Sequence, residues 1–149
     1  MAPSGALHRL IYMSSAVGVL RAEELDRIFL RAKASNTAAG ITGLLLFHEG
    51  SFLQVIEGSP AGVLSLMERI KRDRRHGGLI LLESHACMVR AFPDAPMAYV
   101  APRHLTPTQR LDLGELLAAA RRREASYSSE PLADQLWSLL SEFQTAEAA

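Results

Sequence analysis

Two apolar runs separated by a short polar loop restrict the fold more than any other feature of the sequence. Residues 41–47 (ITGLLLF) and 52–57 (FLQVIE) each have the length of a strand, and the loop between them (HEGS) contains a glycine. Such a pattern is typical of a β-hairpin. A chain that contains a hairpin must build a sheet, and the segments on either side of the hairpin determine which kind of sheet.

A first strand and two amphipathic helices surround the hairpin. Residues 7–14 carry β-branched and aromatic side chains in rough alternation, which indicates a strand. One helix is predicted before the hairpin and ends near Ser35-Asn36, and another begins with Ser59 as N-cap and Pro60 as its first residue. Each helix has an apolar stripe at helical spacing. The stripes are Leu25, Ile28, Phe29 and Ala32 in the first helix, and Val63, Leu66, Met67 and Ile70 in the second.

Two more strands are predicted after the second helix. Gly77-Gly78 end that helix, the run LILLES forms a fourth strand, and MVRAF begins a fifth strand that meets Pro93 and Pro96 before MAYV. The order strand, helix, hairpin, helix, two strands has too few helices to cover both faces of a sheet. The predicted fold is therefore α+β, a ferredoxin-like βαββαββ sandwich whose five-stranded mixed sheet carries two helices on one face.

Two C-terminal helices complete the prediction. The run from Thr106 to Gln109 has the form of a capping box with Pro107 at the first helical position, and an apolar stripe follows it. A second stripe, in a fourth helix, consists of Leu132, Leu136, Leu139, Leu140 and Phe143. The same helix contains Trp137, for which packing is the expected role. We therefore divide the chain into a sheet domain, residues 1–102, and a helical extension, residues 103–149.

Charge and composition exclude several classes of function. Sixteen basic residues balance sixteen acidic ones, so no global field draws nucleic acid or an anionic membrane. The run Arg121-Arg122-Arg123 is interpreted as a solvated face near a helix C-terminus. The single cysteine, the lack of a long apolar stretch and the scattered histidines argue against a disulfide framework, a membrane span and a metal site. A cytoplasmic protein that binds neither nucleic acid nor membrane is expected.

Four segments, in this order, resemble the BLUF (blue light using flavin) family. They are LIYMS at the start, SNTAAGITGLLLF after the first helix, FLQVIEG in the hairpin and RIKRDRRH at the end of the second helix. The resemblance covers roughly residues 7–100. It implies a photoreceptor of the short type, without enzyme activity, that binds FAD noncovalently.

The resemblance implies a photoactive pair, Tyr12 and Gln54, that faces the flavin ring. In the family the excited flavin takes an electron and then a proton from the tyrosine through the glutamine. Return leaves the glutamine rearranged, with a stronger bond to the flavin C4 carbonyl and a red-shifted spectrum. An amide suits this role because it carries an acceptor and a donor on one flat group. From the residues alone, a tyrosine at the edge of the core and a glutamine on a solvent face are the favoured interpretation, and the resemblance overturns it.

Further cofactor-binding residues follow from the same resemblance. Asn36 is matched to the position that pairs with the polar edge of the ring, although the residue alone also fits a left-handed C-cap. Ser35 stands where many members carry a second asparagine or a histidine. Ile28 and Ile70 match positions that clamp the ring between the two helices, which as plain residues are core. The other matched positions, which hold the pyrimidine end or shape its site, are Arg69, Asp73 and His76.

The basic side chains near the end of the second helix also suit a plain structural role, because they meet the helix dipole favourably. The adjacent Arg72, Arg74 and Arg75 are candidates for lining the exit of the FAD phosphates.

The last strand departs from the family pattern. The family has a tryptophan two residues before a methionine, whereas this chain has Ala95-Pro96-Met97. Met97 is the third residue expected in the photoactive set, and here it passes the rearrangement of Gln54 to the last strand without that tryptophan. Output is expected through a separate downstream protein partner.

A homo-oligomer, a dimer or larger, is also expected. The apolar stripes of the C-terminal helices favour it, because they need burial on the sheet or on a second subunit.

Two alternatives stay open at this level. A flavin-binding module without light switching would share the same cavity. A small acylphosphatase-like hydrolase would use Asn36 to position water, although no glycine-rich anion loop beside an arginine accompanies it.

Overall fold

The computed structural model of the chain describes residues 6–93, 98–100, 102–122 and 138–143. Eight regular elements follow one another along these residues. They are β1 (Leu7–Ala16), α1 (Ala22–Ala39), β2 (Thr42–His48), β3 (Ser51–Gly58), α2 (Pro60–Arg72), β4 (His76–Cys87), β5 (Ala98–Val100) and α3 (Pro107–Arg122). A 3-10 turn, Pro102–His104, separates β5 from α3.

The five strands form one mixed sheet in the order β4-β1-β3-β2-β5. Neighbouring strands pair antiparallel except β2 and β5, which are parallel. The predicted ferredoxin-like α+β sandwich is confirmed. The hairpin turn is shorter than the predicted loop, because only Glu49 and Gly50 lie between the strands, both with positive φ (47° and 80°). Two central residues with positive φ match the right-handed twist of a hairpin.

Each face of the sheet is covered by different helices. One face packs against α1 and α2 through a cluster that includes Leu10, Tyr12, Phe29 and Ile56. The opposite face packs against α3 through a larger apolar cluster, with members from the sheet and from the helix. These include Ile11, Met13, Leu53, Val55, Leu113, Leu116, Leu117 and Ala120. The apolar stripe of α3 is thus buried on its own sheet, which is one of the two places expected for it.

Helix α1 extends beyond its predicted end. It continues to Ala39 and stops at Gly40, which has a left-handed φ of 68° and whose N–H bonds to the carbonyls of Asn36 and Thr37. Glycine adopts this conformation without the steric penalty of a Cβ. The interpretation of Asn36 as a C-cap is therefore wrong, because Asn36 lies in the last turn of the helix.

The second half of the sheet also differs from the prediction. Gly77 and Gly78 lie within β4 and do not form a separate break, so that β4 is 12 residues long. Residues 88–92 are not a strand, since the N–H groups of Ala91 and Phe92 bond to the carboxylate of Glu57 and not to a neighbouring strand. The fifth strand is the short run 98–100.

Both predicted helix caps are present. The Ser59 hydroxyl accepts from the Gly62 N–H at 3.1 Å at the start of α2. Thr106 and Gln109 bond reciprocally, side chain to backbone, at 3.0 and 3.1 Å at the start of α3. Residues 138–140 are helical and Ser141–Phe143 form a 3-10 turn, while the rest of the predicted fourth helix, with Trp137, falls outside the described residues. Among the described residues, no helix combines the length and apolar character needed to cross a membrane.

Candidate functional site

A cavity of about 210 Å³ lies between the sheet and the two helices α1 and α2. Nine of the ten predicted site residues line it, and the tenth, Met97, falls outside the described residues. The nine are Tyr12, Ile28, Ser35, Asn36, Gln54, Arg69, Ile70, Asp73 and His76. The fold thus gathers into one place residues that are spread over more than sixty positions of the sequence.

Tyr12 and Gln54 form a buried hydrogen-bonded pair on the floor of this cavity. They are direct cross-strand neighbours on β1 and β3, and each is at most 5% exposed. The Tyr12 hydroxyl donates to Oε1 of Gln54. Burial, with a smaller contribution from the negative charge of Asp73, raises the pKa of Tyr12 above its ordinary value. The phenol is therefore neutral at physiological pH and donates its proton in the hydrogen bond to the amide.

Asn36 and Ser35 bring the last two turns of α1 to the cavity. Asn36 is 1% exposed, and its amide enters the site because the helix continues past it to Gly40. The Ser35 hydroxyl accepts from Nη1 of Arg69 at 3.2 Å, which joins α1 to α2 across the cavity. A buried amide and a bridged pair of polar side chains thus form one side of the site.

Ile28 on α1 and Ile70 on α2 provide apolar walls. Both side chains are partly buried and pack against the apolar cluster on this face of the sheet. They come from different helices and line the same space. Such walls suit a flat aromatic group, which gains from burial on both faces.

His76 fixes the end of α2 against β1. Its Nε2 lies 2.8 Å from the carbonyl oxygen of Ile70, and its Nδ1 lies 2.8 Å from the hydroxyl of Ser14. A carbonyl only accepts, so Nε2 carries the ring proton and, in the neutral ring, Nδ1 accepts from Ser14. This arrangement ties Ile70 to the strand that carries Tyr12.

Asp73 is already paired with a neighbouring cation. Its carboxylate accepts from Nη2 of Arg75 at 2.5 Å and from Nε at 2.9 Å. These bonds from Arg75 lower the pKa of Asp73 to about 2. Asp73 is therefore ionised in the site, and its charge helps to keep Tyr12 protonated.

Several residues that line the cavity are not among the site residues predicted from the sequence. They are Ser14, Arg31, Ala32, Leu45, Phe52 and Leu66, and Arg75 is predicted only as a residue near the exit of the FAD phosphates. Alternation along the strands could have found two of them, because Ser14 lies two residues after Tyr12 and Phe52 two before Gln54. Helical spacing from Ile28 could have found Arg31 and Ala32.

The cavity fits a flavin by the chemistry of its lining. Two apolar walls flank a space whose floor carries a phenol and an amide, with a second amide from Asn36. Three arginines, Arg31, Arg69 and Arg75, also line it, and guanidinium groups suit phosphate. No group of His, Cys, Asp and Glu suited to a metal ion occurs among the residues that the structure describes.

A family model described as sensors of blue light using FAD, BLUF, matches residues 7–98. The chain belongs to the BLUF family. BLUF domains are flavin-based sensors of blue light. A curated relative, the photoactivated adenylate cyclase subunit alpha of Euglena gracilis, is 37% identical over 76 residues, which are 51% of this chain and 8% of the relative. The beta subunit from the same organism is 32% identical over 88 residues, 59% of this chain and 10% of the relative.

Solved BLUF structures share the fold. A dark-state structure of the BLUF protein BlrB aligns with a TM-score of 0.70 at 24% identity and covers 93% of this chain and 97% of that one. Klebsiella pneumoniae BlrP1 with FMN and cyclic diGMP aligns with a TM-score of 0.66 at 33% identity, over 94% of this chain and 35% of that one. The chain thus spans about a tenth or less of these curated relatives and about a third of BlrP1.

Proposed function

We propose that this BLUF chain binds FAD in the cavity between α1 and α2 and that Tyr12 and Gln54 form its light-responsive pair. The observation that carries the proposal is the buried hydrogen bond from the Tyr12 hydroxyl to Oε1 of Gln54, on the floor of a cavity with apolar walls. When bound, flavin supplies a ring that absorbs blue light and accepts an electron from a nearby donor.

Tyr12 is the donor of that pair. Its phenol is neutral, buried and already hydrogen-bonded, so an electron that leaves it can be followed by its proton along the bond to Gln54. While Tyr12 lacks its electron and proton, Oε1 of Gln54 no longer faces a hydroxyl donor and the amide changes its bonds. Return of the electron and the proton restores neutral Tyr12 and leaves the amide rearranged. Rotation or tautomerisation of the amide exchanges acceptor and donor, and this exchange is the signalling event of the chain.

The other lining residues bind and orient the cofactor. Ile28 and Ile70 clamp the ring, Asn36 pairs with its polar edge, and Arg69, held by Ser35, faces its polar end together with Asp73 and His76. Their shared lining of one cavity supports these roles. Among the substitutions expected to weaken binding, loss of the buried Asn36 amide has the clearest physical basis.

FAD rather than FMN is the proposed cofactor. FAD carries two phosphates and FMN one, and Arg31 and Arg75 line the cavity while Arg72 and Arg74 are exposed beside it. Chromatography of the flavin released by heating the purified chain tests the choice. FMN as the main species would contradict it.

Output to a separate protein partner is proposed, because the names of several matching proteins pair light activation or regulation with an adenylate cyclase. The chain itself is proposed to sense and not to catalyse, with homo-oligomerisation and a cytoplasmic location as further predictions from the sequence. Met97 stays the predicted link from Gln54 to the last strand.

Absorption spectra of the purified chain, in the dark and after blue light, test the proposed function. We expect a reversible red shift in the unmodified chain and none in Tyr12→Phe or Gln54→Leu, with flavin still bound. An unchanged shift in either variant would contradict the mechanism. A bound flavin that never shifts would favour the module without switching, and a colourless protein would revive the acylphosphatase-like alternative.

A further inference from the structure

A second polar cluster lies on β3, on the sheet face opposite the cavity. Its centre is Glu57, whose side chain is completely buried. The carboxylate accepts from Nε of Arg9 at 2.7 Å and from the N–H groups of Ala91 and Phe92 at 2.8 and 2.9 Å. A buried carboxylate is held in place by such partners, because losing one of them leaves its charge uncompensated.

The partners of Glu57 hold the chain that leads to β5, and we refer to residues 88–93 as the connecting segment. Arg9 also donates to the carbonyl of Val89 at 2.8 Å. The Met88 and Val89 side chains of this segment are 72% and 74% exposed. The backbone of the connecting segment is thus fixed by a buried carboxylate, although its own apolar side chains contribute little burial at this end.

Arg90 connects the same segment to the end of α1 and to strands β2 and β3. Its guanidinium donates to the carbonyl of Gly40 at 2.9 Å, to the Thr42 hydroxyl at 2.8 Å and to the Glu57 carbonyl at 3.1 Å. Gly40 is the residue whose N–H bonds to the carbonyl of Asn36. Residues 90–92 are therefore hydrogen-bonded to the ends of two elements that line the cavity. These are α1, which carries Asn36, and β3, which carries Gln54.

We propose that Glu57 is the positioning residue that couples the cavity to the connecting segment. It lies three residues after Gln54, roughly 10 Å along the strand, and projects from the opposite face. A shift of β3 that follows the rearrangement of Gln54 moves the carboxylate, and with it the Ala91 and Phe92 backbone that precedes β5. The coupling rests on the proposed role of Gln54.

Replacement of Glu57 by glutamine tests the coupling in the full chain. A glutamine has one acceptor oxygen where the carboxylate has two, so at least the Phe92 N–H, or both Arg9 and Ala91, must lose a bond. We expect dark hydrogen exchange at Phe92, or at Ala91 if the glutamine oxygen faces Phe92, to accelerate about tenfold or more. The red shift of the flavin should persist, whereas the light-dark difference in exchange of residues 88–93 and 98–100 should fall to less than half.

Glu68→Gln is the matched control, because it removes the same charge from an exposed side chain of α2 that pairs only loosely with Lys71 at 3.6 Å. It should behave as the unmodified chain. Arg90→Lys provides a second test should Glu57→Gln fail to fold, since lysine cannot reach all three acceptors, and the same loss of the light-dark difference is expected.

An unchanged light-dark difference in Glu57→Gln or Arg90→Lys would overturn the coupling, as would the absence of any such difference in an unmodified chain that still shows the red shift. Absence of the red shift itself in the unmodified chain would overturn the proposed function, and the coupling with it. The two failures are thus distinguished by the spectrum.

Discussion

The two faces of the sheet are built from the same strands but have opposite contents. The face toward α1 and α2 contains a cavity with a buried phenol, two buried amides and ionised side chains at its edge. The face toward α3 is a continuous apolar cluster, with the Glu57 network at one end. Alternation along β3 produces this difference, because Phe52, Gln54 and Ile56 point to one face and Leu53, Val55 and Glu57 to the other.

Stability and the proposed light sensing are thus expected to depend on different faces of one sheet. The α3 face has the larger set of buried apolar side chains, and we expect it to contribute more to the free energy of unfolding than the cavity face. The cavity face gives up part of that burial and keeps polar groups at the site where a cofactor binds. Substitutions on the two faces should therefore separate stability from light sensing.

The largest effect is expected from Leu113→Ala on the α3 face. Leu113 is 1% exposed, so its truncation leaves a cavity in the apolar cluster and should lower the free energy of unfolding by about 2–5 kcal/mol. Urea unfolding of the flavin-loaded chain measures this cost. Leu111→Ala, at a position 63% exposed, is the control and should stay within about 0.5 kcal/mol. Loss of the red shift in folded Leu113→Ala would contradict the expectation that stability and light sensing depend on different faces.

Asn36→Ala, on the cavity face, should impair flavin binding. Removal of the buried amide is expected to weaken flavin binding by about 1–3 kcal/mol, which is roughly five- to 150-fold in Kd. Flavin fluorescence during titration of the apoprotein measures the affinity. Thr37→Ala is the matched control, because Thr37 is exposed on the same turn and its hydroxyl only donates to the Lys33 carbonyl. Equal Kd values for flavin in the two variants would contradict a role of Asn36 in flavin binding.

Thr106→Ala tests how much the capping box at the start of α3 contributes to stability. The substitution removes one half of the capping box and should lower the free energy of unfolding by about 1 kcal/mol. The red shift should be unaffected, because the cap lies outside the cavity lining. Thr108→Ala, at an exposed position without a capping role, is the comparison, and a larger cost there than at Thr106 would contradict the prediction.

The smallest effect concerns acid stability at the edge of the cavity. The pKa of Asp73, lowered to about 2 from an ordinary 3.8, means that its pairing with Arg75 stabilises the fold above about pH 4. That contribution is lost as the pH falls from 4 toward 2. Arg75→Gln should therefore flatten the fall of the unfolding free energy in this window. The effect is small because the pair is partly exposed to solvent. Arg74→Gln is the control, and equal slopes in both variants would contradict the pairing.

The sequence predicted those elements whose signals are local. The hairpin, the two cavity helices, the cap at Ser59 and the capping box at Thr106 depend on neighbours within a few residues, and the structure confirms each of them. The end of α1 and the fifth strand were misplaced. The fifth strand is misplaced because Glu57, which is distant in sequence, binds the amides of Ala91 and Phe92. The end of α1 is misplaced because Asn36 fits a C-cap by residue type, whereas Gly40, four residues later, ends the helix.

The order of the helices and strands can be predicted from the sequence alone, because apolar periodicity and capping chemistry are properties of short segments. The sequence also supplied the motifs that resemble the BLUF family. The burial of Asn36 within a helix and the hydrogen bonds of Glu57 to the segment before β5 follow from the tertiary structure alone. Burial and hydrogen-bond partners depend on which strands and helices meet, and periodicity along the chain does not contain that information.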